Sequence, residues 1–132
     1  MLRHVLTALL LAAAIVPAAG ASSKTGFAFG QGGGNIQPFS IVVAIDGSVS
    51  ATGRATVGRK HLTRLQLGEL NRLAVTTGFG VLPALTLCKG SLPDFATLFV
   101  RVGPRTVRVR GSCLPAYQRL WKALANDVRL AR

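Results

Sequence analysis

Acidic side chains are scarce in this 132-residue chain: Asp46, Glu69, Asp94 and Asp127 stand against sixteen Lys and Arg. Hydrolysis by paired carboxylates needs two acids brought together. Four scattered acids among so many cations are better suited to salt bridges and caps. Histidine is scarcer still. His4 belongs to the first residues, and His61 is the only other one. Nucleophilic catalysis therefore has one available base, and His61 reads as an exposed linker residue among basic neighbours. The two cysteines, Cys88 and Cys113, with one histidine, cannot assemble a zinc site of three or four ligands. No metal or other cofactor is expected. The run Gly30-Gln31-Gly32-Gly33-Gly34 is not a phosphate loop, because no Gly-Lys-Ser/Thr follows it and no strand is expected before it. Aromatic residues make up 6% of the chain, too few to interleave with the basic residues as base-stacking platforms. A nucleic acid partner is disfavoured. The chain reads as non-enzymatic.

One apolar run is present, and it is short. Met1-Leu2-Arg3-His4 is a basic start. Val5 to Val16 is apolar except for Thr7, Pro17 breaks the run, and Ala18-Ala19-Gly20-Ala21 offers small residues to a peptidase. This is the layout of a secretory signal peptide over 1–21. The run is too short to cross ~30 Å of hydrocarbon, and no later segment is long enough, so no membrane span is expected after cleavage. The expected address is secreted, either extracellular or periplasmic.

The whole chain carries a net charge of +12. Cleavage removes Arg3 and leaves +11. That balance favours acidic partners, such as cell-wall polymers, anionic lipid heads or acidic proteins. A general bias towards Arg produces the same charge with no selected ligand. In an oxidising compartment Cys88 and Cys113 are expected to pair. The bridge closes a loop of roughly 25 residues, worth about 3 kcal/mol by chain entropy.

Residues 22–38 are rich in Gly, Ser and Gln and read as a flexible leader. Phe27 and Phe29 are exceptions: they either pin the leader to the domain or form a short sticky motif. The single folded domain is expected over 39–132. Phe39 to Ile45 predicts a strand, Asp46-Gly47 a hairpin turn, and Ser48 to Val57 its partner. Thr63-Arg64-Leu65-Gln66 fits a capping box. Leu67, Leu70, Leu73 and Ala74 follow at helical spacing, and Thr76-Thr77-Gly78 supplies the stop. Gly80 to Asp94 reads as a long loop. Phe95 to Val102, the Gly103-Pro104 turn and Arg105 to Arg110 form a second hairpin. Pro115 opens a last helix whose apolar stripe is Tyr117, Leu120, Trp121, Leu124 and Val128, with Arg129 and Arg132 at its end. The order ββαββα predicts an α+β fold: a four-stranded antiparallel sheet with two helices packed on one face.

The uncovered face of that sheet is the candidate binding surface. Strand alternation places Arg54, Phe99, Arg101, Arg108 and Arg110 on it. Guanidinium groups bind carboxylate or phosphate in bidentate fashion. An ordinary solvated face is the bland alternative.

The run Leu92-Pro93-Asp94-Phe95, the returning Val107-Arg108-Val109, and Leu114-Pro115 before a helix carrying Leu120 and Leu124 resemble the emfourin-like family. The Asp46-Gly47 hairpin and the helix with Leu67, Leu70 and Leu73 fall in matching order, so the resemblance spans about 39–124. Leu98 stands where the family carries an aromatic residue. The family includes proteinaceous inhibitors of thermolysin-like metallopeptidases. The resemblance implies a binding domain that blocks a protease cleft, with Asp94 the one family position carried over. Two functions are thus expected of the chain. One is a secreted protein-binding domain, with an extracellular protease as a candidate partner. The alternative is a basic binder of anionic cell-envelope or wall polymers.

Overall fold

The structure is a computed structural model that describes residues 25–131. The expected signal peptide at 1–21 and Arg132 lie outside the described residues. The strands are β1 (Thr25–Gly32), β2 (Phe39–Ala44), β3 (Val49–Gly53), β4 (Thr56–Val57), β5 (Leu85–Leu87), β6 (Thr97–Val102), β7 (Arg105–Arg110) and β8 (Leu130–Ala131). Helix α1 (Arg64–Thr76) follows β4, and α2 (Pro115–Asp127) follows β7.

The expected four-stranded antiparallel sheet is not what forms. The main sheet has six strands in the order β3-β2-β1-β6-β7-β5, and its last pair, β5 with β7, runs parallel. β4 and β8 make a separate two-stranded sheet. The physical reason lies first in β1, which comes from the segment expected to be a leader. It sits between the two hairpins and is antiparallel to both β2 and β6. Its glycines hide a period-2 pattern: Phe27, Phe29 and Gln31 face inward and are buried, while Ala28, Gly30 and Gly32 alternate with them. The two phenylalanines therefore pin this segment as core residues. The second departure is at Gly53. Its φ of +88° bends the chain, so the strand expected to reach Val57 ends there and the chain restarts as β4.

The third departure is β5, which forms inside the segment from Gly80 to Asp94 expected to be a long loop. Caps, turns and the last helix hold. Gly47 takes φ of +95° in the first hairpin turn, and the Asp46 carboxylate accepts the Ser48 amide at 2.9 Å. The capping box forms: Thr63 Oγ1 accepts the Gln66 amide at 3.2 Å, and Gln66 Oε1 accepts the Thr63 amide at 2.9 Å. Gly78 turns left-handed just past α1, at φ of +68°. The α2 stripe is buried along its length, from Tyr117 to Val128.

The core lies between the helices and one face of the sheet. Leu70 and Ala74 of α1 and the stripe of α2 share one cluster with Phe29, Ile41, Val100 and Val107. Trp121 meets Phe29 edge-on, with ring centroids 5.6 Å apart. Its indole N–H donates to the Gly30 carbonyl at 3.0 Å, tying α2 to the central strand. The Tyr117 hydroxyl lies within donating distance of the Leu98 and Val107 carbonyls, at 3.2 and 2.9 Å. Burial pushes the Tyr117 phenol well above its usual pKa. The disulfide Cys88–Cys113 is formed, with Cα atoms 5.6 Å apart. It joins the residue after β5 to the loop after β7, so it clamps the parallel pair at one end.

Candidate functional site

The sheet face opposite the helices is laid out by the register of β6 against its neighbours. Phe99 stands beside Gly30 on one side and Arg108 on the other, Arg101 beside Ala28 and Thr106, and Thr97 beside Arg110. Opposed residues on paired strands share a face. Phe99, Arg101, Arg108 and Arg110 are thereby brought together, as strand alternation predicts. Arg54 is not. It follows the bend at Gly53, outside any strand, and lines a separate depression with Gln31, Ile36 and Phe39. Asp94 is exposed in the turn that precedes β6, where its backbone carbonyl accepts the Asn35 amide at 3.4 Å.

Phe99 has a structural task. A Cβ built on Gly30 would lie 2.9 Å from the Phe99 ring and would also run into the Phe39 carbonyl oxygen. The ring therefore covers the glycine of the neighbouring strand, an aromatic shielding a backbone that has no side chain of its own. This explains why Phe99 is half-buried on an otherwise open face.

Two residues absent from the sequence reading complete the surface. Leu85 and Leu87 of β5 pair with Arg108 and Arg110, so they share the arginine face, and each is 54% exposed. The available signal was the short alternation Leu85-Thr86-Leu87, obscured by Pro83 before it and Cys88 after it. Leu85, Leu87, Phe99, Arg108 and Arg110 border a groove of about 580 Å³. A second depression, of about 280 Å³, lies on the far side of Phe99 and Arg108 and reaches Arg101 and Val42.

The electrostatics of this face are one-sided. None of the six strands of the main sheet contains an acidic residue. Arg101 Nε donates to the Gly103 carbonyl at 2.9 Å, which anchors that side chain at the hairpin turn. Arg105, on the same strand as Arg108 but facing the other way, donates to the Leu82 carbonyl. Arg110 Nε is buried without a hydrogen-bond partner among the described residues.

Away from the sheet face, the first hairpin turn brings Asp46, Ser48 and His61 near one another, with Ser48 and His61 forming an isolated β-bridge. Hydrogen bonds from Ser48 hold the Asp46 carboxyl below its ordinary range. That geometry caps a turn. Near the other end of the chain, burial raises the Asp127 carboxyl, with Arg59 opposing the shift. No group of three His, Cys, Asp or Glu comes within metal-binding reach among the described residues. No helix among them is long and apolar enough to cross a membrane.

The fold and its open face define a small disulfide-bonded α+β domain with a cationic, partly apolar sheet surface. Comparison of the chain with protein-family models, with curated proteins and with solved structures finds no match in any of the three.

Proposed function

We propose that this chain is a secreted, non-enzymatic domain that binds another protein through the open face of its sheet. An extracellular protease is the partner class suggested by the resemblance to emfourin-like inhibitors. The composition of the face carries this reading: Arg101, Arg108 and Arg110 stand with exposed Leu85 and Leu87, and no strand supplies a carboxylate to neutralise them. Guanidinium groups favour a partner's carboxylates, while the leucines offer apolar area to the centre of a contact. The apolar N-terminal run and the disulfide support export to an oxidising compartment.

The test is a titration of a thermolysin-like metallopeptidase with the purified chain, following residual activity at low and high salt. Stoichiometric loss of activity that survives high salt is expected. The variant carrying Arg101→Gln, Arg108→Gln and Arg110→Gln should lose it. Full residual activity, with the chain recovered intact, removes the protease assignment.

The absence of acids from all six strands also favours a second reading, an anionic envelope or wall polymer as ligand. Retention on immobilised polyphosphate that falls steeply with salt, and that the same triple variant lacks, would select it.

A further inference from the structure

The free edge of β5 adds a feature that the arginine face alone does not have. β5 ends the sheet order, and among the described residues its outer side meets no strand. Its ladder to β7 is bounded by the Ala84 carbonyl, which accepts the Arg108 amide at 2.9 Å, and by the Cys88 amide, which donates to the Arg110 carbonyl at 2.8 Å. Even-numbered positions therefore point their backbone groups inward. Alternation turns the N–H and C=O groups of Leu85 and Leu87 towards the free edge. The side chains of these two residues lie on the arginine face, in register with Arg108 and Arg110. The disulfide at Cys88 holds this short strand in place. Backbone donors and acceptors and two exposed leucines thus occur together along three residues, beside two cations on a sheet whose strands carry no acid.

We infer that β5 is a docking edge for an extended acidic segment of a partner protein, which adds to the sheet as a seventh strand. This rests on the protein-binding reading above and specifies its mode. Strand addition draws affinity from main-chain hydrogen bonds and specificity from alternate side chains. In an added strand, every second side chain would stand over the open face beside Leu85 and Leu87. Arg108 and Arg110 lie about 10 Å further in, two strand spacings away. An extended Arg and a Glu reaching from opposite sides span that distance. The preferred partner carries Glu or Asp at alternate positions. Charge complementarity selects it, because no carboxylate of the sheet competes for the guanidinium groups.

The experiment uses the full chain, isotope-labelled, and a blocked peptide of four Glu-Val repeats as probe. Binding is followed by fluorescence anisotropy of a dye-labelled copy, and amide exchange is followed by NMR. Saturable binding is expected, with exchange of the Leu85 and Leu87 amides slowed at least tenfold at saturation. The Thr86 amide, already inside the ladder, should change little. Arg108→Gln with Arg110→Gln should weaken binding at least tenfold, and a Lys-Val peptide should fail to bind. Binding without slowed Leu85 and Leu87 exchange overturns strand addition and leaves face binding standing. Equal binding of the Lys-Val peptide overturns the acidic preference. No binding of the Glu-Val peptide overturns the inference, while the protein-binding reading is judged separately by the peptidase titration. If added polyphosphate displaces the peptide, perturbs Arg108 and Arg110 and leaves both leucine amides exchanging freely, the ligand is a polymer on the face and the edge mode is wrong.

Discussion

Gly30 has two tasks, one for its backbone and one that only a missing side chain performs. Its carbonyl receives the Trp121 indole, and its missing Cβ leaves room for the Phe39 backbone on one strand and the Phe99 ring on another. Gly30→Ala should therefore destabilise the fold by more than the ordinary ~1 kcal/mol range of strand propensities, measured by urea unfolding. Tyr117 offers a second probe, because it is the only tyrosine. Burial raises its folded-state pKa, so the native state holds a proton that the unfolded chain releases near pH 10. The stability linked to that proton is complete below about pH 10 and is lost as pH rises further towards the folded-state value. Phenolate absorbance should thus appear together with loss of the helical circular dichroism signal. Phenolate formation in a chain that stays folded would contradict the burial. Tyr117→Phe should remove this part of the alkaline destabilisation and cost about 1 kcal/mol at neutral pH through its lost hydrogen bonding.

Each structural element has its own support. Helix α1 begins on the reciprocal Thr63–Gln66 bonds, so Gln66→Ala should cost about 1 kcal/mol or less, with fraying confined to the first turn. Amide exchange at that turn measures it. Strand β5 is only three residues long and is paired on one side, so the Cys88–Cys113 bridge is a large part of what keeps it on the sheet. Reduction should lower stability by about 3 kcal/mol in the loop-entropy account. It should also open β5 first: amide protection at Thr86 and Cys88 should fall while β6 and β1 stay protected. Uniform loss across the sheet would show that the bridge acts on the whole domain. Gly111 adds a local constraint, since a Cβ there would lie 2.6 Å from Cys88 Cβ. The open sheet face depends on the bridge, because β5 supplies Leu85 and Leu87 to its groove.

The whole molecule is organised around β1. Removing residues up to Gly32 deletes the strand that lies between the two hairpins, and with it Phe27 and Phe29. Such a truncated chain should show no cooperative unfolding and no near-ultraviolet signal from Trp121. Phe29→Ala alone should cost about 3–5 kcal/mol, a large share of the ~5–15 kcal/mol available to a domain. A truncated chain that still unfolded cooperatively would make β1 dispensable. Caps, turns and helix stripes were legible because they depend on neighbours within a few residues: Thr63 reads Gln66, Asp46 reads Ser48, and Tyr117 to Val128 repeat with the helix. The second hairpin was legible for the same reason, and with it the shared face of Phe99, Arg101, Arg108 and Arg110. β1 was not, because glycine lowers local strand preference and Phe27 and Phe29 gain their burial from residues far along the chain. β5 was not, because its partner β7 lies about 20 residues along the chain, with β6 and the Gly103-Pro104 turn in between. Arg54 left the face because a positive φ at Gly53 turned the strand before it got there. Signals within a turn or a heptad thus sufficed for the two helices, their caps and the hairpin turns, while the presence of just two cysteines indicated the disulfide and the composition indicated the cationic surface. The order of the strands, the parallel edge and the grouping of two leucines with two arginines came from long-range packing, since burying Phe27, Phe29 and Trp121 together requires β1 at the centre of the sheet.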